Sequence, residues 1–182
     1  MGASSVTGVG PGSVLSVQPV IKGLVKSSNI APNAITADKI AKAPIVLNTA
    51  TITLDSNGYS NMPLVFKHAA GVIATLPAAT GTGDVYKFYV GITVTSNSYK
   101  IKVANATDVL QGMSISPADT DVTERGWETL PDSDTITMNG TTTGGVKGDF
   151  IEIVDIASGL FYVKMFLSSV ANGVTPFSAE VN

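Results

Sequence analysis

The clearest hydrophobic pattern lies near the C-terminus, where residues 149–156 (DFIEIVDI) and 160–167 (LFYVKMFL) alternate apolar and polar positions around Ala157-Ser158-Gly159. A period of two marks a strand with one buried face, and a three-residue loop with Gly at the left-handed position predicts a hairpin. Pairing Ile156 with Leu160 sets Glu152 opposite Lys164, Ile153 opposite Val163, Ile151 opposite Met165 and Phe150 opposite Phe166. The face of Ile151, Ile153, Val163 and Met165 is wholly apolar and is predicted to face the core. The other face sets Phe150, Val154, Tyr162 and Phe166 around the Glu152–Lys164 pair. Aromatics on an outward face predict a subunit contact there.

Shorter apolar runs precede it, at residues 50–54, 64–67, 71–76, 85–94, 99–103, 109–115 and 135–138. Between them stand turn signals such as Asp55-Ser56-Asn57-Gly58, the 77–83 loop and Asn139-Gly140. Signals recurring about every ten residues indicate a sandwich or barrel. Residues 85–94 and 99–103 are predicted to form a second hairpin across Thr95-Ser96-Asn97-Ser98. The expected fold is all-β. It comprises an antiparallel β-sandwich or barrel body over residues 44–182, with an extended N-terminal arm over 1–43 containing at most a short helix.

The arm departs from the body in side-chain size. The one Trp, five Tyr and six Phe of the chain all follow Gly58. Pro19 and Gly23 interrupt the apolar run 14–25 (VLSVQPVIKGLV) and exclude a regular helix or a central strand. Burial yields about 25 cal/mol per Å², and ordering a backbone residue costs about 1–2 kcal/mol. Small side chains alone do not close that gap. The arm is therefore expected to lie extended on another chain through Val14, Leu15, Val17, Val20, Ile21, Lys22, Leu24, Val25 and Lys26. Thr36 as N-cap and Asp38 in the first turn predict one or two helical turns over 36–42, ended by Ala43-Pro44.

Charged residues are only 14% of the chain, against about 25% in ordinary domains, which predicts a surface partly covered by partners. The net charge of −3 is unevenly placed, with residues 1–43 at +3 and the remainder at −6. An acidic body, and an arm with four lysines but no arginine or aromatic, argue against nucleic acid. The chain has no cysteine for disulfide or thiolate chemistry. No apolar run approaches the roughly 18 residues of a membrane span, and the first residues lack the pattern of a signal peptide.

Candidate chemistry is sparse. His68 is the single histidine, no nucleophile elbow accompanies it, and a surface or interface role is expected. In the acidic segment 117–134, Asp119, Asp121 and Glu124 are oxygen donors suited to calcium, but their spacing matches no calcium loop. A solvated loop is expected, with Trp127 anchoring it, gripping a neighbour or offering a sugar platform. The Gly-rich pieces fit no phosphate-binding motif and read as turns. The expectation is a non-enzyme without metal or cofactor.

Several stretches carry a resemblance: residues 54–64 (LDSNGYSNMPL), 74–83 (ATLPAATGTG), 90–103 (VGITVTSNSYKIKV), 134–140 (DTITMNG) and 144–148 (GGVKG). Together they resemble a family of tailed-bacteriophage head decoration, or cement, proteins. The resemblance implies a structural virion protein on the capsid exterior. It would bind the major capsid protein, bridge its subunits and assemble as a homotrimer, with no nucleic-acid or membrane partner. Residues 33–40 (NAITADKI) also resemble segments of phage fibre proteins, which leaves a fibre or head-fibre module binding a host receptor or sugar as the alternative.

Overall fold

A computed structural model of the protein describes residues 43–117, 125–169 and 173–181, all within one compact unit. The arm residues 14–26, the helix expected over 36–42, and Asp119, Asp121 and Glu124 lie outside the described residues.

The first six strands are β1 (Ile45–Leu47), β2 (Thr51–Thr53), β3 (Pro63–Phe66), β4 (Val72–Thr75), β5 (Val85–Val90) and β6 (Tyr99–Lys102). The odd-numbered three lie side by side and parallel in one sheet; the even-numbered three do the same in the other. The chain therefore changes sheet after every one of these strands. Then come β7 (Val109–Ser116), β8 (Arg125–Glu128), β9 (Thr135–Met138), β10 (Phe150–Ala157), β11 (Leu160–Phe166) and β12 (Phe177–Ser178). They complete a seven-stranded sheet ordered β1-β3-β5-β10-β11-β7-β8 and a five-stranded sheet ordered β12-β9-β6-β4-β2. The body is an all-β sandwich, as the turn spacing predicts. Its sheets are mixed rather than wholly antiparallel, since β7 also runs parallel to β11.

The predicted register of the last hairpin is the observed one from Phe150↔Phe166 to Asp155↔Phe161. It breaks at the loop, where Ala157 rather than Ile156 meets Leu160. That bulge leaves Ile156 half exposed, and Gly159 takes the left-handed φ of 78° that the loop requires. The turn at 55–58 closes into a single helical turn, α1 (Ser56–Tyr59), in which Asp55 is the N-cap and its Oδ1 accepts from Gly58 N at 2.7 Å.

The second predicted hairpin does not form, because β5 and β6 lie in opposite sheets. β5 stops at Val90, and the segment that follows crosses the edge of the sandwich. Thr95 N and Oγ1 both donate to Ala69 O, and Asn97 Nδ2 donates to Ala70 O. Val94 is buried within this crossing, so the apolar run continues past the point where the strand has ended.

Between the sheets, Phe66 stacks on Phe88 at 5.4 Å between ring centroids and on Tyr99 at 4.5 Å, joining the two layers. Leu64, Ile151, Ile153, Val163 and Met165 from one sheet meet Val72, Ala74, Ile101, Ile136 and Met138 from the other, all essentially inaccessible. The wholly apolar hairpin face thus sits in the core.

Candidate interaction surface

The buried acidic groups hold loops. Asp155, on the inward face of β10, accepts from the backbone N–H groups of Thr80 (3.1 Å), Gly81 (2.7 Å) and Thr82 (3.1 Å). Asp149 accepts from Gly145, Val146 and Ser168, and Asp134 accepts from Glu180 and Val181. Asp108 accepts from Ala79 N and Asn105 Nδ2. A buried carboxylate is tolerated only when donors replace its water. Burial pushes Asp155 and Asp134 up, but the N–H donors outweigh it and hold both below the ordinary carboxylate value. At Asp149 burial wins and the pKa is raised. A hollow of about 350 Å³ touches Asp108, Asp132 and Asp134, yet two of these three already serve backbone donors. Among the described residues no group of three or more acids or histidines is placed to hold a metal. His68 Nδ1 lies 2.8 Å from Gly71 O in its own turn.

The outer face of the seven-stranded sheet has a different character. Cross-strand partners project to the same side, so the registers trace whole rows. One row runs Val46, Val65, Tyr89, Phe150, Phe166, Ile115 and Gly126, crossing β1, β3, β5, β10, β11, β7 and β8. It contains no charged or hydrogen-bonding side chain except the Tyr89 hydroxyl. Phe166 is 54% exposed and Val46 50%. Tyr89 and Phe150 lie tilted at 5.1 Å between centroids. The next outward row runs Pro63, Lys87, Glu152, Lys164, Met113 and Glu128. Here Lys164 Nζ lies 2.7 Å and Lys87 Nζ 3.7 Å from the Glu152 carboxylate. The Lys164 hydrogen bond is the main reason Glu152 stays below the ordinary value. A third row sets Val85, Val154, Tyr162 and Gln111 side by side.

Of the residues expected at a subunit contact, Phe150, Tyr162 and Phe166 share this face. Trp127 does not. It alternates with the outward Gly126 and Glu128 and packs half-buried against the core. A Cβ on Gly173 would fall 2.7 Å from its ring. The parity of that short strand turns Trp127 inward, where its ring helps anchor β8 and part of it stays open to a surface hollow beside Met113 and Ile115. Sequence reasoning missed Val46, Val65, Tyr89 and Ile115. The available signal was the alternation in β5, where Val85, Lys87 and Tyr89 oppose Tyr86, Phe88 and Val90, but aromatics occupy both parities. The chain was also compared with known proteins, and no family model, curated protein or solved structure matches it.

Proposed function

We propose that the protein is a structural virion component, a decoration protein that sits on the exterior of a tailed-phage head and bridges major capsid subunits. The observation that carries this reading is the apolar row crossing the outer face of the seven-stranded sheet. A row that contributes nothing to the core is what a protein needs when its work is to adhere to other chains, further copies of itself included. Residues 1–43 supply the second attachment, with Val14, Leu15, Val17, Val20, Ile21, Leu24 and Val25 as apolar contacts. Lys22 and Lys26 steer that segment toward an acidic shell, an attraction that salt weakens. Self-association belongs to the same reading, and the resemblance implies a homotrimer.

Stabilisation follows by linkage, since a protein that binds only the assembled shell favours it by about 2.7 kcal/mol per site at a hundredfold excess over Kd. The test compares particles carrying and lacking the protein during heating or removal of divalent ions. Decorated particles are expected to burst at the higher temperature; equal bursting temperatures overturn the reading. Deleting residues 1–43 is expected to abolish attachment while the body stays folded, scored by particle occupancy and by circular dichroism.

A further inference from the structure

We infer that the outer face of the seven-stranded sheet pairs with the same face of a second copy, about a two-fold axis running between β10 and β11. The argument is one of self-complementarity. The second row alternates in sign along Lys87, Glu152 and Lys164 and has little net charge with which to choose an acidic or a basic partner. A two-fold axis between β10 and β11 sets each residue of one strand over the copy of its own in-sheet neighbour. Glu152 then faces Lys164 of the second copy and Lys164 faces Glu152, closing a ring of four charges. In the first row Phe150 faces Phe166, Tyr89 faces Ile115, and Val65 faces the bare backbone of Gly126. In the third row Val154 faces Tyr162.

Other axes fit worse. One along β10 stacks Glu152 on Glu152 and Lys87 on Lys164, and one along β11 stacks Lys164 on Lys164. An axis between β5 and β10 also closes a charge ring, with Lys87 over Glu152, but it leaves Tyr162 beyond the start of β3. The β10–β11 axis keeps Tyr162 covered and sets Lys87 over Met113 and Glu128 over Pro63. Like charges brought together cost affinity, whereas alternating ones fix the register. Six strands at about 4.8 Å spacing and three rows at about 7 Å give a patch roughly 25 Å by 15 Å, with sheets about 10 Å apart. That patch is smaller than the roughly 800 Å² per partner of a standard interface, so the pair is expected to be weak, with Kd in the micromolar range or above. Aligned sheets cross at about −30°, which concentrates the best contacts on the central hairpins.

The pairing gives a two-copy assembly in place of the three-copy one that the resemblance implies. Its test is sedimentation equilibrium of the full chain over a concentration series. The wild type is expected to move from one to two copies. Phe166→Glu, at an exposed position, is expected to weaken association by about 30-fold or more, the effect of a central contact. Val46→Glu, at the uncovered end of the same row, is expected to leave it unchanged. Lys164→Glu is expected to weaken it and Glu152→Lys/Lys164→Glu to restore it, with thermal melts checking the fold and Tyr162→Glu standing in if Phe166→Glu fails to fold. A wild type that forms trimers or stays monomeric overturns the pairing, as does association indifferent to both glutamates. A trimer leaves the capsid role standing. Equal bursting temperatures with the pair intact would overturn that role and leave the pairing.

Discussion

The two sheets hide similar apolar faces and show dissimilar outer ones. On the five-stranded sheet the outward rows read Thr51, Ile73, Lys100, Thr137 and then Thr53, Thr75, Lys102, Thr135. Threonine satisfies the β preference for a branched side chain; Thr51 and Thr53 are exposed, whereas Thr135 is buried and its hydroxyl donates to Asp134 Oδ1. The seven-stranded sheet meets the same preference with Val, Ile and aromatic residues and leaves them partly in water. Among the described residues nothing requires Phe166 or Tyr162 to be aromatic, for neither enters the core. Under the proposed pairing the difference between the outer faces reflects association, while the likeness of the inner faces reflects stability.

The largest effect that tests this division is on the hairpin, where adjacent residues belong to opposite faces. Ile153→Ala is expected to cost about 2–4 kcal/mol in denaturant unfolding, as for a buried large-to-small change. Val154→Ala, one residue on, is expected to cost less than about 1 kcal/mol. Equal costs would erase the distinction between the faces.

A smaller effect probes the carboxylates that tie the loops, one on each sheet. Asp155 and Asp134 are held below the ordinary value in the fold, so they contribute stability above their unfolded pKa and lose it as pH falls through the folded one. Stability is expected to decline below about pH 4, and Asp155→Asn and Asp134→Asn should each flatten that decline. Asp149, being raised, works the other way, favouring the fold at low pH and losing that contribution as pH rises through its folded value. Asp155→Ala is expected to cost about 1–3 kcal/mol, because three backbone N–H groups lose their acceptor; a neutral result in urea melts would deny the carboxylate its clasping role. The smallest change is expected at Lys100→Ala, which removes the 2.6 Å contact with Glu180 on the polar face. A partly exposed pair is worth no more than about 1 kcal/mol, and self-association should not respond.

The last hairpin was legible because it is local. Its strands are joined by three residues, and the alternation of Ile151, Ile153, Val163 and Met165 fixes both register and face. The outer row was only partly legible for the opposite reason. Its members Val46, Val65, Tyr89 and Ile115 come from strands whose neighbours are remote in sequence, and no local pattern states that β5 lies beside β10. The crossing after Val90 was misread because the buried Val94 extends the apolar run. Asp155 was also within reach, as an acid on the inward parity of β10, but its partners Thr80, Gly81 and Thr82 come from a distant loop.

The alternate winding of the first six strands governs the order in which the chain can fold. Ile45 pairs with Leu64, Thr51 with Ile73, Leu64 with Phe88 and Val72 with Tyr99, so none of these strands pairs with the next one along the chain. Each closure must span a long loop before any ladder rewards it, a topology associated with folding in milliseconds to seconds. During synthesis β5 emerges well before β10, the strand that covers its free edge. Until the C-terminal hairpin arrives, the nascent body exposes an aromatic strand edge of the kind that recruits other chains. The hairpin that seals the sheet is made after the strands it covers, and a truncated chain ending before Asp149 should aggregate where one ending beyond Leu167 stays dispersed.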